Sequence, residues 1–90
     1  MSSEAFKAAN NKVHPVETQW HYPILTKYDF KPLTPSQTGF VRTYQYQNDA
    51  GHQITVTTGS NADYWRDDTV TGGGYWASLE PHLEQLANKG

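Results

Sequence analysis

Apolar and polar side chains alternate on both sides of a turn-like sequence near the middle of the chain. The alternating runs cover residues 40–46 and 52–57, and Asn48-Asp49-Ala50-Gly51 lies between them. Alternation with a period of two is typical of a strand that buries one face, and two such runs around a glycine-containing turn predict a β-hairpin. We therefore expect a hairpin at about residues 39–60.

The length of the hairpin loop decides the register of the two strands. A loop of three residues, 49–51, pairs Tyr46 with Ile54 and places its glycine at the left-handed position. The same loop pairs Tyr44 with Val56, whereas a four-residue loop would set apolar side chains opposite polar ones. We predict the three-residue loop.

This register separates the side chains of the hairpin into two faces. The predicted apolar face consists of Phe40, Tyr44, Tyr46, Ile54 and Val56, with Arg42 as its one charged member. The predicted solvent face consists of Thr43, Gln45, Gln53, Thr55 and Thr57. The apolar face needs a partner to cover it.

A leucine stripe near the C-terminus supplies that partner. Leu79, Leu83 and Leu86 recur at the spacing of one helix face. Ser78 stands where an N-cap is expected, and Pro81 falls in the first turn, where no intrahelical donor is lost. The pattern predicts a short helix from about Ser78 that packs its leucines on the apolar face of the hairpin.

A second short helix is predicted over residues 23–29. Pro23 suits the first helical position, and Ile24, Leu25 and Tyr28 form a narrow apolar face. Two later prolines favour extended structure after it, so residues 30–34 are expected to form an edge strand.

The remaining segments complete an α+β domain with a small antiparallel sheet. Residues 13–19 are expected to be extended, residues 62–66 are too short to classify, and residues 67–74 are expected to be a flexible loop. The predicted domain covers residues 13–90, and residues 1–12 are expected to be a flexible segment with Phe6 as its one possible anchor.

Charge and composition exclude several classes of function. The formal charge is −2, and the seven Lys and Arg residues are scattered, which argues against a duplex DNA-binding protein. The chain has no cysteine, no apolar run of membrane-spanning length and no signal-peptide pattern. We therefore expect a protein of the cytoplasm without a membrane partner.

The sequence contains no catalytic, metal or cofactor motif. None of the four histidines, His14, His21, His52 and His82, has metal-ligand spacing within one predicted element. The serine of Gly59-Ser60-Asn61 lacks a nucleophile elbow, and the triple glycine at residues 72–74 lacks the lysine of a phosphate-binding loop. We predict no metal, no cofactor and no enzymatic activity.

Aromatic residues cluster on both sides of the triple glycine. The chain has three Trp, six Tyr and three Phe, so aromatic rings must supply much of the core. Tyr, Trp and Arg also concentrate binding energy at interfaces. The cluster therefore either covers the hairpin or contacts a partner. The residues predicted to bind a partner are Tyr64, Trp65, Arg66, Tyr75 and Trp76.

These observations favour a small non-enzymatic module that docks on another macromolecule, with a protein as the first choice. The alternative is a single-stranded nucleic-acid-binding protein that uses Tyr64, Trp65, Arg66 and Arg42 for stacking and phosphate contacts. A sugar-binding module or an enzyme subunit is a third class. The oligomeric state stays open.

In general character, the short, cysteine-free, aromatic-rich chain resembles small uncharacterised proteins of bacteriophages and mobile elements. The resemblance attaches to no particular residues. It implies an accessory or host-modulating role.

Overall fold

The computed structural model describes residues 12–59 and 62–89 of the chain. The expectation of a flexible N-terminal segment anchored by Phe6 falls on residues 1–11, which lie outside the described residues. The helices of the described part are α1 (His21–Lys27) and α2 (Leu79–Lys89), and single 3-10 turns at Val16–Thr18 and Trp76–Ser78 precede them.

The strands form two antiparallel sheets. A two-stranded sheet pairs β1 (Val13–Pro15) with β3 (Ser36–Thr38). A five-stranded sheet contains, in spatial order, β2 (Lys31–Pro32), β4 (Arg42–Gln47), β5 (Gln53–Thr58), β6 (Tyr64–Asp67) and β7 (Gly73–Tyr75). The α+β class is confirmed, and β2 is the edge strand that the prolines indicated.

The central hairpin has the predicted register. Tyr44 lies opposite Val56, and Tyr46 lies opposite Ile54. Gly51 has a φ of 85°, the left-handed conformation that closes a three-residue loop. The Asn48 side-chain oxygen accepts hydrogen bonds from the backbone N–H groups of Ala50 and His52, which holds the turn in this shape.

One face of the five-stranded sheet carries the hydrophobic core. The buried apolar side chains are Val16, Leu25, Phe30, Tyr44, Tyr46, Ile54, Val56, Trp65, Leu79 and Leu83, and they form one cluster. Leu86 packs at its margin. The predicted burial against the apolar face of the hairpin is therefore confirmed for Leu79 and Leu83, whereas Leu86 is only partly buried.

Several local predictions were wrong, and each error has a physical reason. Phe40 precedes β4 and is 46% exposed, because the strand begins only at Arg42. Thr55 lies on the predicted face, but it is buried there beside Asp68, to which its hydroxyl donates a hydrogen bond. Ser78 directly precedes α2, as predicted for an N-cap, but its hydroxyl donates to the carbonyl oxygen of Tyr75.

The segment from residue 62 to residue 75 is more regular than its glycines suggested. Residues 64–67 form β6, and two glycines of the triple belong to β7, which pairs with β6. Of the loop predicted for residues 67–74, only residues 68–72 lie outside the strands. Strand pairing outweighs the intrinsic preference of glycine for turns, because it satisfies the backbone groups of both strands.

Candidate functional site

The face of the five-stranded sheet opposite the core is open. Its central row consists of Thr43, Thr57, Tyr64 and Tyr75, which lie opposite one another on successive strands. The next row consists of Gln45, Thr55, Arg66 and Gly73. We call these two rows the open face. Strand alternation produces it, because Trp65 and Asp67 of β6 point to the buried side.

Tyr64 and Tyr75 form the aromatic centre of the open face. Directly opposite residues of neighbouring antiparallel strands have Cβ atoms about 4.5–5.5 Å apart, so the two side chains are neighbours. Tyr64 is 49% exposed and Tyr75 is 66% exposed. Trp76, which follows Tyr75 and begins a 3-10 turn, is also exposed.

Arg66 is held in position on the open face by an acidic neighbour. Its Nε lies 2.9 Å from the Asp68 Oδ1, and the other carboxylate oxygen of Asp68 accepts the Thr55 hydroxyl. The Arg66 side chain is 71% exposed. The pair leaves the open face close to electrical neutrality while keeping a guanidinium group accessible.

Trp65 is a core residue, and its assignment as a partner-binding residue is corrected by its burial. Only 3% of its surface is exposed. Its Nε1 donates to the carbonyl oxygen of Tyr75 and to the hydroxyl of Ser78, each at 3.0 Å. The indole ring packs against the His82 ring at 4.6 Å between centroids. Trp65 therefore ties β6 to the start of α2.

Arg42, a phosphate contact in the nucleic-acid hypothesis, also lies away from the open face. In β4 it alternates with Thr43 and shares its side of the sheet with buried Tyr44. Its Nη1 donates to the carbonyl oxygen of Gly39 at 3.0 Å. Of the four residues in that hypothesis, Tyr64 and Arg66 remain on the accessible surface.

The sequence reasoning missed a cluster of His52, Asp67 and His82. The Nε2 atoms of both histidines lie 2.7 Å from Oδ2 of Asp67, whose side chain is fully buried. Its other oxygen accepts the backbone N–H groups of Thr69 and Val70. Alternation along β6 could have indicated this cluster, because it places Asp67 on the same buried side of the sheet as Trp65.

The environment of Asp67 stabilises its ionised form. Burial alone would raise the pKa of its carboxyl, but hydrogen bonds from His82, Val70, His52 and Thr69 outweigh it and lower that pKa from 3.8 to about 2. A Cβ at Gly72 would lie 2.6 Å from the His82 ring, so glycine lets the ring pack there. The cluster joins α2 to the sheet. No group of three or more His, Cys, Asp or Glu side chains among the described residues could hold a metal ion.

His21 is buried beneath the hairpin and is held in its neutral form. Its Nδ1 is hydrogen-bonded to the Tyr46 hydroxyl at 2.7 Å, while its Nε2 is buried without a described partner. Burial lowers the pKa of His21 from 6.5 to about 4, although Asp63 opposes the shift. His21 is therefore a structural residue that stays unprotonated in the folded protein at neutral pH.

The stability of the fold should decrease as the pH falls from 6.5 to 4. In that range His21 is protonated in the unfolded chain but not in the folded chain. Its contribution to the free energy of unfolding is therefore complete above pH 6.5 and is lost near pH 4. The pKa shift corresponds to a loss of about 3 kcal/mol in the free energy of unfolding. Urea unfolding across this range should show the decrease in the natural chain and a smaller decrease in His21→Phe, and equal slopes would contradict the assignment.

Comparisons with protein-family models, with curated proteins and with solved structures found no match. No helix within residues 12–59 and 62–89 has the length and apolar character needed to cross a membrane.

Proposed function

We propose that the protein is a non-enzymatic module that docks on another protein through the open face. The observation that carries the proposal is the exposed Tyr64–Tyr75 pair beside Arg66, on a sheet face that no helix of the described residues covers. The predicted bacteriophage accessory role stays a prediction.

The chemistry of the open face suits protein recognition. Tyr and Arg dominate binding energy when they are desolvated at the centre of an interface. Thr43, Gln45 and Thr57 surround them with short polar side chains, which suit a hydrogen-bonding rim. Because Asp68 already orients Arg66, less side-chain entropy is lost when a partner binds.

The nucleic-acid alternative has less support. An aromatic pair on an open sheet can stack bases. However, Arg66 is the one cation of the two rows and is paired with Asp68, while the whole chain carries a net charge of −2. A protein with so little positive charge gains little from counterion release.

Replacing both tyrosines, Tyr64→Ala with Tyr75→Ala, should abolish docking without unfolding the protein. Two hot-spot residues should together weaken binding by more than about tenfold. The cross-strand pair contributes only about 0.2–1 kcal/mol to folding, so the denaturation midpoint should change little. The measurement is affinity capture from a lysate of the source cells, with quantitative mass spectrometry and a parallel stability curve.

The matched control is Val13→Ala with Val41→Ala, two exposed apolar residues outside the open face. The partner should be recovered by the natural chain and by the control, and lost from the tyrosine variant. Equal recovery by all three proteins would refute the open face as the docking site. Binding of an oligonucleotide that weakens steeply with salt would favour the nucleic-acid alternative.

A further inference from the structure

A groove separate from the open face lies between α1, β2 and the hairpin turn. It has a volume of about 590 Å³ and is lined by Tyr22, Tyr28, Phe30, Asp29, Lys31 and Asp49, among others. A smaller cavity of about 180 Å³ shares Tyr28, Phe30 and Asn48 with it and extends to His52. Volumes of this size accommodate a small ligand or one to two side chains.

Asp29 lines this groove with its backbone in the left-handed conformation. It follows the C-cap of α1 with a φ of 67°, where helices usually carry glycine. Its N–H donates to the carbonyl oxygen of Thr26, and the next N–H donates to that of Leu25, which completes the helix end. These backbone bonds need no carboxylate. The Asp29 side chain makes no hydrogen bond or ion pair within the described residues, so its carboxylate is available to a ligand.

The charge of the groove is negative. Asp29 and Asp49 line it against one cation, Lys31, whose pair with Asp49 is long at 3.5 Å and highly exposed. Lys27 lies over the Tyr28 ring at 5.6 Å, but its charge is balanced by Glu80 at 3.0 Å. Three aromatic rings contribute further negative faces. The complementary ligand carries a positive charge and several donors.

We propose that this groove binds a guanidinium or ammonium group. Asp29 supplies the principal ionic contact, and Tyr22 and Tyr28 supply aromatic surface for the alkyl stem and for a cation–π contact. Lys31 at the rim limits the affinity by repulsion. The site is independent of the open face, because the two share no residue.

A matched pair of peptides tests the charge requirement. The probes are acetyl-Gly-Arg-Gly-amide and the same peptide with citrulline, whose urea group has the shape of guanidinium without its charge. Titration followed by NMR should shift the resonances of Tyr22, Tyr28 and Asn48, with the arginine peptide bound about tenfold more tightly. Equal affinities, or no shifts at millimolar peptide, would overturn the proposal.

Two substitutions make the test specific to Asp29. Asp29→Asn retains a residue that tolerates the left-handed conformation, and Asp29→Gly relieves the strain. Both should reduce binding about tenfold while thermal stability stays the same or rises. Lys31→Gln should strengthen binding, because it removes the opposing charge. Unchanged affinity in the well-folded Asp29 variants would refute the assignment.

The source of the cation is decided by a third probe, agmatine, which carries guanidinium and ammonium groups without a peptide backbone. Tighter binding of agmatine than of the arginine peptide would support a small amine as the ligand. Tighter binding of the peptide would support a basic side chain of a protein. Both outcomes depend on the same Asp29 contact.

Discussion

Replacing Asp67 with alanine should lower the free energy of unfolding by about 3–5 kcal/mol. The carboxylate accepts hydrogen bonds from His52 and His82 and from two backbone N–H groups of the following loop. Removing it leaves two partly buried histidines and two backbone N–H groups without this acceptor, and it removes one connection between α2 and the sheet. Urea denaturation at neutral pH measures the loss.

The pH dependence of stability provides a second readout for Asp67. Because the folded-state pKa is lowered to about 2, its stabilising contribution is complete above pH 3.8 and is lost as the pH falls toward 2. The natural chain should lose stability in that range. Asp67→Asn, which cannot ionise, should lack this part of the decrease.

The control for Asp67 is Asp49→Ala. Asp49 is 90% exposed in the hairpin loop, and within residues 12–59 and 62–89 its one ion pair is the long contact with Lys31. Its replacement should change stability by no more than about 0.5 kcal/mol. If Asp67→Ala were as mild as this control, the cluster would not join α2 to the sheet.

Replacing Leu83 with alanine should cost about 2–5 kcal/mol. Leu83 is 1% exposed and lies in the same cluster as the four apolar side chains of the hairpin. Truncation removes buried apolar surface and leaves a cavity that the surrounding core fills only in part. The shift of the urea midpoint at constant slope reports the change.

Leu33→Ala is the matched control for Leu83, because it removes the same atoms from a half-exposed residue. Its cost should be below about 0.5 kcal/mol. A cost for Leu83→Ala as small as that of the control would show that α2 is peripheral to the fold.

The exposed candidate residues followed in part from local sequence. The predicted solvent accessibility of Arg66 and of at least one neighbouring aromatic residue is confirmed by the exposure of Tyr64, Tyr75 and Trp76, and their role in partner binding stays a prediction. Trp65 does not belong to this surface. Residues 62–66 are too short to classify from their sequence, and only their pairing as a strand places Trp65 on the core side by alternation.

The sequence alone determined the central hairpin and its register, and it predicted both helices, although α1 begins at His21, two residues before the predicted start at Pro23. These elements depend on interactions between residues close in the chain: loop closure by Gly51, alternation along β4 and β5, and leucine spacing along α2. Such patterns are visible locally, because strand and helix periodicities are properties of the backbone.

Only the tertiary structure decided how distant polar residues meet. Asp67 ends β6 and contacts two histidines from other elements: His52, which directly precedes β5, and His82 of α2. The groove likewise lies between distant parts of the chain, α1 and the hairpin turn. The spacing of these residues along the chain does not predict the contacts, because the packing of the helices against the sheet determines them. Tertiary structure also explains why the glycines of β7 form a strand. Pairing with β6 satisfies their backbone N–H and C=O groups, which outweighs the local preference of glycine for turns.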